Sequence, residues 1–85
     1  MTEDEAKRLL IEEIGVIAPD ADPSGLQPDD DLRDRLDLNS MDILNLVMAI
    51  HERTGIDIPE IDYPRMYRWG SAIDYLVERA ARPGG

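Results

Sequence analysis

The sequence contains no cysteine, which excludes a disulfide framework and a thiolate zinc site as the means of holding the fold. No apolar run approaches the ~18 residues that a membrane-spanning helix requires. The first residues, MTEDEAKRLL, are acidic where a secretion signal would be basic. Basic residues are scarce: nine Lys and Arg stand against nineteen Asp and Glu, for a net charge of −10. That balance repels nucleic acid and anionic membranes and favours protein partners carrying a basic patch. The expectation is a soluble, cytoplasmic monomer with no nucleic-acid partner and no membrane span. At 85 residues the chain makes one small domain, with a modest core and no room for a deep catalytic cleft.

The charge is unevenly spread. Residues 1–62 hold seventeen acidic and five basic residues, whereas residues 63–85 hold two and four, so nearly all the negative field lies toward one end. Strand-like alternation is missing, and helical periodicity takes its place. Ala6, Leu9, Leu10, Glu13, Ile14 and Ile17 share one face of a first helix over about residues 2–18, with Thr2 as N-cap, Glu3, Asp4 and Glu5 in the first turn, and Pro19 as stop. A second helix is predicted over 40–54, with Ile43, Leu46, Val47 and Ile50 inward and Gly55 just beyond its end. A last helix over 71–81 turns Ala72, Ile73, Leu76, Val77 and Ala80 inward, before a flexible tail at 82–85. The intervening IDIPEIDYPRMYRWG is broken by Pro59, Pro64 and Gly70, leaving one short turn of helix around 65–68.

The connection ADPSGLQPDDDLRDRLDL, Ala21 to Leu38, is far longer than the ~2–8 residues usual between bundle helices. Leu26, Leu32, Leu36 and Leu38 are its predicted anchors on the core. The fold class that results is all-α: an antiparallel bundle of three main helices plus one short helix, with a long first loop.

Within LDLNSMDILNLVMAI, Leu36 to Ile50, a lone serine opens an apolar helix. Two readings of it stand. Ser40 can be the N-cap, and then its hydroxyl is committed. Alternatively Asn39 caps, bonding the backbone of Asp42 while the Asp42 carboxylate reaches back, and the Ser40 hydroxyl is left free in the positive field of a helix N-terminus. Met41, Leu44 and Met48 fall off the core stripe and widen the apolar arc beyond what packing requires; they either adapt to partner surfaces or pack on the loop and the short helix.

With those residues in place, the chain resembles the acyl carrier proteins and the related peptidyl carrier proteins. Their signature is an Asp-Ser-Leu triplet after a Leu-Gly-Leu or similar lead-in, opening a long second helix; here it reads LDLNSMDILNLVMAIHERTGIDIP, Leu36 to Pro59. The Gly-Ile-Asp-Ile-Pro exit at Gly55 to Pro59 and the segment AIDYL at Ala72 to Leu76 extend the likeness over essentially the whole domain. The resemblance implies that Ser40 receives 4′-phosphopantetheine from coenzyme A through a phosphopantetheinyl transferase. It also implies a thiol that the cysteine-free chain lacks, carrying an acyl or aminoacyl group as a thioester. The implied partners are that transferase and the loading and transferring enzymes whose basic patches dock around Ser40 on Asn39, Met41, Asp42, Asn45 and Met48. The cargo is left open among fatty acyl, polyketide, amino acid and unusual lipid precursors.

The sequence departs from the family at three places. Asn39 stands in place of the usual aspartate, removing a carboxylate that would assist the transferase and its metal. Asn45 and His51 make the second helix less acidic than in its relatives. YPRMYRWG places Trp69, two tyrosines and two arginines where the family has a bland short helix; Trp69 then either fills the core or reshapes an acyl cavity.

Other chemistries fit less well. His51 is eleven residues from Ser40 on one helix, ~16 Å at 1.5 Å per residue, so the two cannot form a hydrolase pair. No glycine-rich phosphate loop occurs, and catalysis by this chain alone is not expected. Asp20, Asp22, Ser24, Gly25 and Asp31 imitate the spacing of a calcium loop, but Pro23, Pro28 and a terminal Asp in place of Glu argue for an acidic turn-rich loop. An unmodified acidic adaptor that docks on a basic protein shares every feature except the use of Ser40.

Overall fold

The computed structural model of the chain describes residues 1–81; the expected tail at 82–85 lies outside the described residues. Its elements are α1 (Glu3–Ile17), α2 (Leu32–Arg35), α3 (Ser40–Thr54), a 3-10 helix (Glu60–Met66) and α4 (Trp69–Ala80). The expected all-α fold with a long first loop is the one observed.

Each long helix is bounded by local chemistry. Thr2 accepts from the backbone N–H of Glu5 at 3.1 Å, and the Glu5 carboxylate accepts from Thr2 N–H at 2.8 Å, closing a reciprocal cap that also holds the Glu5 carboxyl below its ordinary range. Gly55 ends α3 at φ 78°, a left-handed conformation that a Cβ would disfavour, and its N–H bonds the carbonyl of His51.

α1 packs against α3 and α4, and the 3-10 helix packs against α4. The first turns of α1 lie beside Arg53 and Thr54, so α1 and α3 run antiparallel. Leu10, Ile14, Leu32, Ile43, Leu46, Ile50, Met66 and Leu76 are the largest of the fully buried side chains. Glu13, on the inward stripe of α1, is half-buried at the rim, where its carboxylate meets Arg53 at 3.0 Å; Arg53 also pairs with Glu12. A charge on the core face is tolerated because a partner waits across the α1–α3 seam.

The long connection is held by backbone as well as by leucines. Leu32, Leu36 and Leu38 are buried as expected, with Leu26 half-buried against the core. Residues 28–32 run alongside residues 67–70: Leu32 N–H donates to Tyr67 O, Trp69 N–H to Asp30 O, and Gly70 N–H to Pro28 O, at 2.7–3.0 Å. These loop carbonyls satisfy donors that the first turn of α4 would otherwise leave orphaned, which is why α4 begins at Trp69 and not at the expected Ser71. Gly70 is needed there, since a Cβ would sit 2.9 Å from Pro28 Cβ and 3.1 Å from its backbone. Asp31 caps α2 and binds Arg33 in two-pronged fashion; that pairing lowers the Asp31 carboxyl to about 2.

Two further expectations are corrected. The single turn α2 was expected as loop; Asp31 as N-cap and the buried Leu32 and Leu36 let Leu32–Arg35 coil. The short helix lies at Glu60–Met66, not 65–68, because Pro59 starts it in an extended conformation and Pro64, lacking an N–H, is accommodated in the tighter 3-10 winding. Trp69 is buried in the core, the first of its two predicted roles.

Candidate functional site

The start of α3 is built by a reversal of the chain. Asp37 adopts φ 55°, uncommon for a residue with a Cβ, and this kink lets Leu36 and Leu38 on either side both enter the core while Asp37 stays in solvent. The chain then emerges extended at Asn39 (φ −96°, ψ 179°) and turns into the helix at Ser40.

Asn39 is the N-cap. Its Oδ1 accepts from Asp42 N–H at 2.9 Å, and Asp42 Oδ2 accepts from Asn39 N–H at 3.1 Å. Of the two readings the sequence left open, the one that makes Ser40 the cap is therefore overturned. Ser40 occupies the first helical position, is exposed, and its hydroxyl has no hydrogen bond among the described residues. The backbone N–H groups of Ser40 and Met41 precede the first intrahelical donor and have no partner among the described residues. A nucleophile-bearing side chain thus stands free in solvent at the positive end of a fifteen-residue helix.

The other predicted site residues divide into two groups. Asn39 and Asp42 lie beside Ser40 but are engaged with each other, so Asp42, half-buried, acts locally as a cap acceptor. Met41, Asn45 and Met48 recur at helical spacing along the outer face of α3; Met41 is 61% exposed and Met48 54%. Leu44 is half-buried, so only part of the widened apolar arc faces solvent. Ser40 and His51 lie on the same helix and are not brought together. In the acidic loop, Asp22 Oδ1 accepts from the N–H and hydroxyl of Ser24, and Asp31 is occupied by Arg33; the loop spends its carboxylates on its own turns. Among the described residues no three His, Cys, Asp or Glu side chains gather in a metal-binding arrangement.

Sequence reasoning missed the neighbours that α3 acquires from the Gly55–Tyr63 segment. A surface cleft of about 200 Å³ lies between the C-terminal half of α3 and residues 57–63, with Val47, Ile58 and Tyr63 in its wall. The Gly-Ile-Asp-Ile-Pro exit was the available signal, since it dictates that the chain turns back along α3. The same segment is fastened to α4, where Tyr75 donates its hydroxyl to Asp62 Oδ2 at 2.7 Å and Arg79 donates to Asp57 O at 2.7 Å. Burial, with help from the Asp62 bond, pushes the Tyr75 phenol up to about 12.

No helix among the described residues is long and apolar enough to cross a membrane. A family model described as phosphopantetheine attachment site matches residues 4–63, taking in α1, the long connection, α3 and the start of the 3-10 helix. The acyl carrier protein of Nitratidesulfovibrio vulgaris (strain DP4) is 28% identical over 77 residues, covering 91% of this chain and 95% of that protein. Cap, helix and comparison converge: the chain belongs to the phosphopantetheine-attachment family, with an acyl-carrier-like fold and covalent 4′-phosphopantetheine as its implied cofactor.

Proposed function

We propose that Ser40 is the residue that carries the 4′-phosphopantetheine group, and that residues 1–85 act as one carrier domain that presents an acyl or aminoacyl cargo to partner enzymes. One observation carries the reading: Ser40 is exposed and its hydroxyl is unbonded among the described residues because Asn39, and not Ser40, caps α3. The residues present fit the group. A phosphodiester on Ser40 Oγ meets the free N–H groups of Ser40 and Met41 and the positive end of the helix, and the carboxylate of Asp42 is drawn back into the cap. When bound, the group supplies the thiol on which the cargo is held as a thioester.

The chain's own residues then serve recognition. Asn39, Met41, Asp42, Asn45 and Met48 form the docking face around Ser40, with the two exposed methionines as adaptable apolar contacts. Partners with basic patches are drawn by the net negative charge of residues 1–62, an attraction that salt weakens. Chemistry resides with the transferase and the loading enzymes. The test is release of cargo: the protein loaded with a labelled acyl group should lose its label to neutral hydroxylamine, as a thioester does, and Ser40→Ala should take up no label. Label that resists hydroxylamine, or that persists in Ser40→Ala, contradicts the reading.

A further inference from the structure

The chain carries its sulfur only as thioether, in four methionines and no cysteine. Before the arm is attached, an oxidant that would otherwise meet a thiol meets methionine. The four differ in access. Met66 is fully buried in the core. Met1 is partly exposed but lies beside Arg53 and Thr54, at the end of α3 remote from Ser40. Met41 and Met48 are 61% and 54% exposed. Met41 directly follows Ser40, and Met48 comes seven residues later, two turns on along the same face and ~10 Å down the axis at 1.5 Å per residue.

Among the described residues, α3 has no other exposed large hydrophobic side chain, since its remaining apolar residues are buried or half-buried. Two oxygen atoms, one on each sulfur, therefore turn the whole exposed apolar part of this helix polar. Neither methionine belongs to the packed core, so the change does not reach the residues that hold the bundle together. A surface contact and a structural contact are separated here by position alone.

We propose that Met41 and Met48 are a reversible oxidation site, and that their conversion to sulfoxides weakens the docking of enzymes that act on Ser40 while leaving the fold intact. The proposal rests on the carrier reading above and adds a control to it. The oxidant is a peroxide. Its O–O bond breaks as one oxygen passes to the sulfur lone pair, and the remainder leaves as water or an alcohol; sulfur loses two electrons and the peroxide gains them. A sulfoxide reductase reverses the step, a dithiol supplying two electrons and two protons while the oxygen leaves as water. The sulfoxide oxygen is a hydrogen-bond acceptor, and against an apolar partner surface it would be buried unpaired. The thioether that it replaces is soft and adapts to such a surface.

The test uses the full-length chain before the arm is attached, when it holds no thiol. Hydrogen peroxide is applied and then removed with catalase, and peptide mass spectrometry follows each methionine. Met41 and Met48 should each gain one oxygen several-fold faster than Met66, with the circular-dichroism spectrum unchanged. In phosphopantetheinyl transfer from coenzyme A, the oxidised chain should show a several-fold higher KM with little change in kcat. Treatment with a pair of methionine sulfoxide reductases, one for each sulfoxide epimer, should restore the KM. Met41→Leu with Met48→Leu removes both thioethers and keeps Met1; its KM, whatever the starting value, should not respond to peroxide. A KM that oxidation leaves unchanged, oxidation of Met66 as fast as of Met41, or an equal response to peroxide in the double variant would overturn the proposal. An untreated chain that no transferase modifies would overturn the carrier reading and the proposal with it, so the untreated control tells the two failures apart.

Discussion

Replacing the two residues at the start of α3 separately tests whether the cap and the handle are different side chains. Asn39→Ala removes the acceptor that holds Asp42 N–H at 2.9 Å and leaves that donor to water, while the return bond from Asn39 N–H to Asp42 survives. Loss of an N-cap of this kind costs about 1 kcal/mol, within a range of ~0.5–2. For a domain of this size about 1 kcal/mol lowers Tm by roughly 4–8 °C. Ser40→Ala removes a hydroxyl that bonds nothing among the described residues, at an exposed first helical position, so its effect should stay within about 0.5 kcal/mol and a few degrees. Thermal unfolding followed by circular dichroism, with chemical denaturation for the free energies, measures both. The reasoning fails if Ser40→Ala destabilises as much as Asn39→Ala, since that would make the serine a structural cap. Asn39→Asp should hold stability near the parent value, because aspartate caps as well as asparagine, and should speed modification by restoring a carboxylate beside Ser40.

Other consequences follow from single contacts. Gly15→Ala and Gly70→Ala should have opposite signs: a Cβ at Gly15 meets nothing within 4 Å and gains ~0.5–1 kcal/mol of helix propensity, whereas a Cβ at Gly70 collides with Pro28 and costs about 1–3 kcal/mol in overpacking, as urea unfolding of the pair would reveal. Asp37→Gly should be neutral or stabilising by up to ~1 kcal/mol, while Asp37→Val should lose about 1–2, because the left-handed backbone there suits glycine and resists a β-branched residue; equal effects would refute the strain. Tyr75 has a folded pKa raised to about 12 from 10.0, so its contribution to stability is fully present below pH ~10 and lost as the pH rises through ~12. A near-ultraviolet phenolate titration should show one late-ionising tyrosine that Tyr75→Phe removes.

Much of the architecture was readable from residue order because it depends on local rules. The capping pairs Thr2 with Glu5 and Asn39 with Asp42 lie three residues apart, and the stripes of α1 and α3 repeat at helical spacing. Leu32, Leu36 and Leu38 could be recognised as anchors since a polar loop has no other reason to hold them. The pairing of residues 28–32 with 67–70 was hidden, because backbone bonds between two irregular segments leave no periodic trace in side chains. The start of α4 at Trp69 depends on those remote carbonyls, and the 3-10 helix around Pro64 depends on packing against α4, so neither boundary could be read from its own residues. At the site, Ser40 and its outer-face companions were legible on one helix. The cleft was not, since it exists only once Asp57, Ile58 and Tyr63 have folded back beside Val47 and Met48.

The central claim is that Ser40 is a free handle. Intact-mass spectrometry of the protein incubated with coenzyme A and a broad-specificity phosphopantetheinyl transferase, followed by fragmentation to locate the added group, tests it most directly. The account predicts a gain of one phosphopantetheinyl group on Ser40 and none in Ser40→Ala. No gain with several transferases, in the parent and in Asn39→Asp alike, would contradict it and favour an unmodified acidic adaptor; a gain located on another residue would contradict it as well.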